Sequence, residues 1–280
     1  MALAAASFSS SRWWLVVTQP QAYTPSTLVR MKDDPDVAAT ETLFAVPNHT
    51  SYSITFHPRF AENGYVFIGS NGPGSAGFTG KTTKITRYTI DAKSPAKTFD
   101  FDAASAKIIL EWESDGHNGG DTCFGPDGMM YVTSGDGTSD SDTNLRGQDL
   151  TKLTAKVLRI DVDHPDAGRE YSVPSDNPFV GQPNIRPETW CYGLRNPWRI
   201  TADRQSGQIW VGNNGQDLWE QAYLIQRGAN YGWSVMEGGH PFYLDRKAGP
   251  TSISPPTIDH PHSEFRSLTG GVVYHGDRLP

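Results

Sequence analysis

Ile54-Thr55-Phe56-His57-Pro58, followed after a short break by Tyr65-Val66-Phe67-Ile68-Gly69, is the stretch that decides the fold. Apolar side chains alternate along the first segment, a Pro-containing turn follows, and an aromatic-led β-branched segment ends at glycine. Period-2 alternation puts one face of each strand into a core, so the pair reads as a β-hairpin.

The pattern returns twice. Phe124-Gly125-Pro126-Asp127-Gly128 leads to Tyr131-Val132, and Ile200-Thr201-Ala202-Asp203 leads to Ile209-Trp210-Val211-Gly212. From Phe56 to Phe124 and from Phe124 to Thr201 the spacings are 68 and 77 residues. A fourth apolar segment, Gly271-Val272-Val273-Tyr274, is expected to be a strand about seventy residues further on. Strand-and-turn repeats of this length predict propeller blades rather than a helical solenoid, with about four blades present. Because a propeller closes to hide its strand edges, and Gly276-Asp277-Arg278-Leu279-Pro280 stops just after the expected strand, the natural protein is expected to continue.

Composition agrees. The 280 residues include Gly 28 and Pro 20, with 11% aromatic and 36% apolar, which suits many short strands joined by turns. A formal charge of -7 without a Lys/Arg-rich run argues against a nucleic-acid partner and favours a small ligand. No run approaches the roughly 18 apolar residues of a bilayer span. Residues 1–40 are expected to be a tail or part of a first blade strand, with the propeller over 41–280. The run Trp13-Trp14-Leu15-Val16-Val17 is shorter than the core of an export signal. Cys123 and Cys191 have no metal-binding spacing and read as free buried thiols.

Three constellations can carry chemistry. In Asp115-Gly116-His117-Asn118-Gly119-Gly120-Asp121, His117 is either a solvated turn residue or a proton acceptor on a loop that glycines open to a ligand. Asp136, in Ser134-Gly135-Asp136-Gly137, lies where a returning hairpin brings it beside His117, so its carboxylate would fix the imidazole tautomer. In Gly193-Leu194-Arg195-Asn196-Pro197, a planar cation and an amide on a rigid turn can grip a carboxylate, the alternative being a strand-end ion pair.

Gly212-Asn213-Asn214-Gly215-Gln216-Asp217 offers backbone and amide oxygens to a hard cation such as Ca²⁺, or else makes a type I′ turn at Asn214-Gly215. The acidic run Asp136, Asp140, Asp142 lacks the spacing of an EF-hand and reads as solvated loop or a structural ion site. Asp259-His260-Pro261-His262 lacks a third ligand. Tyr231-Gly232-Trp233 reads as blade core.

Taken in order from about Pro47 to Pro280, these segments resemble the soluble aldose sugar dehydrogenases, or glucose/sorbosone dehydrogenases, which are six-bladed β-propeller quinoproteins. The resemblance includes His117-Asn118-Gly119-Gly120, Lys156-Val157-Leu158-Arg159-Ile160-Asp161, Gly193-Leu194-Arg195-Asn196-Pro197, Gly228-Ala229-Asn230-Tyr231-Gly232-Trp233 and Leu268-Thr269-Gly270-Gly271. It implies an all-β fold of four-stranded antiparallel blades. It also implies oxidation of aldoses or related alcohols by hydride transfer to pyrroloquinoline quinone (PQQ), assisted by Ca²⁺.

On that resemblance, His117 takes the family's general-base position and Asp136 that of its orienting carboxylate. Arg195, Asn196 and Asn48 fall at cofactor-binding positions, and the backbone carbonyls of Gly215 and Gln216 fall at the calcium position, Gln216 standing where the family frequently has Pro. A sugar substrate, a cytochrome c or another electron acceptor, and periplasmic or secreted residence follow from the same likeness. The competing expectations are a calcium-dependent propeller lactonase with a side-chain metal cage, and a non-catalytic propeller binding module.

Overall fold

The computed structural model describes residues 2–8, 11–21, 23–90 and 101–278. Met1, from the expected N-terminal tail, and Leu279-Pro280, from the expected point of continuation, lie outside the described residues. The chain is almost entirely β and divides into two compact units. One comprises Met1–Asp115, Gly120–Thr122 and Val162–Ser172, and the other comprises Gly116–Gly119, Cys123–Asp161 and Val173–Pro280.

The first unit holds two four-stranded antiparallel sheets. Strands β1 (Ala2–Phe8), β2 (Ser11–Thr18), β3 (Thr27–Lys32) and β4 (Glu41–Ala45) pair in sequence order. Residues 1–40, expected as a tail or a partial strand, therefore carry three strands. Leu15, Val17 and Leu28 are buried in one cluster with Ile54, Val66, Ile68, Tyr88 and Ile90. The second sheet joins β5 (Thr50–Phe56), β6 (Tyr65–Pro73), β7 (Lys81–Ile90) and β8 (Phe101–Glu113) in order, and the only helix among the described residues is the single turn α1 (Phe60–Asn63) inside the β5–β6 connection.

The second unit carries most of two further sheets. One runs β12–β11–β10–β9, from β9 (Gly119–Phe124), β10 (Met130–Ser134), β11 (Lys156–Ile160) and β12 (Thr189–Tyr192). The other starts from β13 (Asn196–Ala202), β14 (Ile209–Asn214) and β15 (Trp219–Leu224). After a small pair, β16 (Met236–Glu237) with β17 (His240–Pro241), the strand β18 (Ile258–Pro261) closes that sheet in the order β13–β14–β15–β18. Up-and-down sheets of four antiparallel strands are blades of the β-propeller class.

All three hairpins read from alternation are present: β5–β6, β9–β10 and β13–β14. The expected strand at Gly271–Tyr274 is not one. No described residue pairs with it, and Val272 and Tyr274 are exposed. Apolar sequence alone makes no ladder without a partner edge. Neither Cys123 nor Cys191 forms a disulfide; Cys191 is buried as expected, whereas Cys123 is only partly buried. No helix of the described residues is long and apolar enough to cross a membrane.

Lys156, at the start of β11, is fully buried, and its Nζ donates to the carbonyls of Asp149 and Thr154, both at 2.7 Å. Burial pulls its pKa down from 10.5 to about 7. In the unfolded chain an ordinary lysine stays protonated until about pH 10.4. Unfolding therefore takes up a proton between those values, and stability rises with pH across them. In urea titrations the wild type should gain on the order of 3 kcal/mol relative to Lys156→Met between pH 7 and pH 10. A parallel pH dependence in the two proteins would refute the buried-amine assignment.

Candidate active site

Asp136 follows β10 and is wholly buried. Its Oδ1 accepts from His117 Nδ1 at 2.8 Å, from the Thr138 amide at 2.9 Å and from the Thr138 hydroxyl at 3.0 Å. Its Oδ2 accepts from Trp233 Nε1 at 2.7 Å. The backbone knits the same residues together: His117 N–H donates to Thr138 O, and Gly137 N–H donates to His117 O. Asp136 N–H donates to Arg195 O at 2.8 Å.

An ionised carboxylate only accepts hydrogen bonds, so the contact with Asp136 holds the His117 proton on Nδ1. The Nε2 lone pair is left free, and no described residue bonds to it. The imidazole is thus oriented, with its basic nitrogen available, while its side chain is only 12% exposed.

Arg195 is buried. Nε donates to Gln216 Oε1 at 2.8 Å, Nη1 donates to Asn214 O at 3.2 Å, and the guanidinium lies 5.7 Å from the Trp233 ring centroid. Burial lowers its pKa from the ordinary value, opposed by the carboxylates of Asp136, Glu220, Glu237 and Asp140. Nη2 makes no hydrogen bond to a described residue. Beside it Asn196 receives its place from the sheet register, its N–H donating to Asn213 Oδ1 at 3.0 Å, while Asn196 Oδ1 is buried without a partner among the described residues. A planar cation with an unused edge and an orphaned amide oxygen fit a planar ligand bearing both acceptors and a donor.

The loop between β14 and β15 is held by two buried glutamates. Glu220 accepts from Gly215 N–H at 3.2 Å and from His262 Nε2 at 2.9 Å. Glu237 accepts from Gln216 N–H at 2.6 Å. The carbonyls of Gly215 and Gln216 accept no hydrogen bond from described residues, which fits a site for a hard, oxygen-seeking cation. Neither Asn214 nor Gly215 has a positive φ, so the alternative type I′ turn is absent. Gly215 is required for space instead: a Cβ there would lie 1.6 Å from Trp219 O.

Other sequence candidates disperse. Asp140 Oδ1 accepts from Gln216 Nε2, whereas Asp142 caps the Arg146 and Gly147 amides and takes the Ser234 hydroxyl. His260 pairs with Glu264. Among the described residues no group of three or more His, Cys, Asp or Glu is placed to hold a metal. Asn48 belongs to the first unit, where it is an exposed residue at φ 57. A cavity of about 850 Å³ beside Ser234, lined by Asp142, Gln148 and Arg246, contains neither His117 nor Arg195.

Two residues take part in the site without announcing it in the sequence. Trp233 is buried in the core as expected, and in addition its indole bonds Asp136 and its ring faces Arg195; the signal is its place at the end of Gly228-Ala229-Asn230-Tyr231-Gly232-Trp233. Glu237, in Met236-Glu237-Gly238-Gly239, carries no pattern of its own.

A family model described as Glucose / Sorbosone dehydrogenase matches residues 27–280. The chain belongs to the glucose/sorbosone dehydrogenase family. The chain is similar to the HIPL1 protein of Arabidopsis thaliana, 32% identical over 282 residues covering 81% of this chain and 40% of that protein. It is also 32% identical over 237 residues to the Hedgehog-interacting protein of Mus musculus, covering 80% of this chain and 31% of that protein. The chain thus spans less than half the length of these two relatives. The PQQ-bound aldose sugar dehydrogenase of Streptomyces coelicolor superimposes with a TM-score of 0.67 at 25% identity, covering 91% of this chain and 66% of that one.

Asp136→Ala should leave His117 Nδ1, Trp233 Nε1 and Thr138 without their acceptor in the interior. It is expected to lower stability by about 3 kcal/mol in urea unfolding, with Asp136→Asn losing less. Equal stability of Asp136→Ala and wild type would show that the network is not formed.

Proposed function

We propose that this protein is a quinoprotein oxidoreductase that oxidises aldose sugars or related alcohols, with PQQ and Ca²⁺ as its cofactors. The observation that carries the reading is the His117–Asp136 pair at 2.8 Å, linked to Arg195 through Trp233 and through the Asp136 amide. When bound, the quinone supplies a hydride acceptor and the calcium ion a Lewis acid.

The chain's own residues divide the remaining work. His117 Nε2 would take the proton of the substrate hydroxyl, and the imidazolium so formed is stabilised by Asp136 on the opposite nitrogen. Arg195 and Asn196 would hold the cofactor's anionic and carbonyl oxygens. Gly215 and Gln216 would offer the ion their free carbonyls. Burial of Asp136, and of Arg195 against Trp233, keeps these charges in low dielectric, where they act more strongly than in water. An electron acceptor such as a cytochrome c, and a periplasmic or secreted setting, belong to the same proposal.

The test is reconstitution with PQQ and Ca²⁺ and dye-linked oxidation across a panel of sugars and alcohols. Oxidation is expected, falling on the order of 10²–10⁴-fold in His117→Gln while quinone retention is kept. Quinone-independent inertness over the whole panel, with no PQQ retained, would overturn the reading. That outcome would favour a non-catalytic binding module, for which the likeness to the Hedgehog-interacting protein speaks.

A further inference from the structure

Glu237 lies on β16, outside every motif that marks the site, and is buried. One of its oxygens, Oε1, accepts from the amides of Gln216 at 2.6 Å, Asp217 at 2.7 Å, Leu218 at 3.1 Å and Trp219 at 3.4 Å. Successive amides converging on one carboxylate oxygen form an anion nest. In a trans peptide the N–H of one residue and the C=O of the residue before it point in opposite directions. The Gln216 and Asp217 amides turned toward Glu237 therefore turn the Gly215 and Gln216 carbonyls away from it, and these are the two carbonyls that accept no hydrogen bond from described residues.

We infer that Glu237 is a positioning residue for the ion loop: by collecting the amides of residues 216–219 it fixes the Gly215 and Gln216 carbonyls in the outward orientation that binds calcium. The inference rests on the calcium reading proposed above. Glu220 holds the loop's other end through the Gly215 amide and the Asn214 side chain, so the loop stays anchored when Glu237 is changed. What Glu237 adds is direction.

A buried carboxylate could also attract a cation simply by its charge, and two variants separate the effects. Glu237→Gln keeps the reach and an acceptor oxygen but loses the charge. Glu237→Asp keeps the charge but stops one methylene short of the amides. The experiment is calorimetric titration of the cofactor-free protein with CaCl₂, alongside thermal unfolding in chelator to check that each variant is folded.

Positioning predicts that Glu237→Asp and Glu237→Ala lose roughly tenfold or more in calcium affinity. It predicts that Glu237→Gln stays within about threefold of wild type, since hydrogen bonds to a charged acceptor are only about twice as strong as neutral ones. If Glu237→Ala fails to fold, the Gln and Asp variants still decide. Wild-type affinity in Glu237→Asp, or a loss in Glu237→Gln as large as in Glu237→Asp, overturns the positioning role and leaves the calcium reading intact. A wild type that takes up no calcium overturns both.

Discussion

The site is organised by a carboxylate with no access to water. Asp136 is completely buried, and a buried charge is tolerated only where donors replace its hydration. His117, Thr138 and Trp233 supply those donors, and each comes from a different part of the second unit. Satisfying Asp136 therefore assembles the site: the same contacts that make its ionised state bearable fix the histidine tautomer and lay the indole beside Arg195. Its backbone amide, bonded to Arg195 O, carries the constraint into the segment that presents Asn196.

The β-architecture makes this economical. His117 and Asp136 are separated by the β9–β10 hairpin, which brings its two ends together, so residues distant in sequence meet without a long loop. Arg195 and Asn196 sit at the entry to β13 and the Gly215–Gln216 carbonyls just beyond β14, and antiparallel pairing sets Asn196 opposite Asn214. The groups proposed for cofactor and ion are thus neighbours because of strand register, and loop shape has little to decide.

Much of this is legible in the sequence, for physical reasons that also mark where reading stops. Apolar alternation in the first strand, a Pro- or Asp-containing turn and an aromatic or β-branched second strand make Ile54–Gly69 and Ile200–Gly212 readable as hairpins, although β5 and β6 are buried on both faces along most of their length. The run at Leu15-Val16-Val17 is buried and stands outside the repeated hairpin pattern, so nothing in the repeat marks β2 as a strand. Gly271–Tyr274 has the composition of a strand but no pairing partner among the described residues. In the site, His117 and Asp136 are found because hairpin return is a sequence-level rule. Trp233 reads as core and is buried as read, but the destination of its N–H is not legible in the sequence, and a lone glutamate at 237 gives no hint that amides converge on it.

Gln216 shows how two chemistries can serve one place in a fold. Where the family frequently has a pyrrolidine ring, this chain has an amide whose oxygen accepts from Arg195 Nε and from Ser141 N–H, and whose nitrogen donates to Asp140. A ring stiffens a loop covalently and at every temperature. A three-armed brace of hydrogen bonds stiffens it without a ring, and it ties the loop to the Arg195 guanidinium and to the Asp140–Ser141 segment, which a ring would leave unconnected.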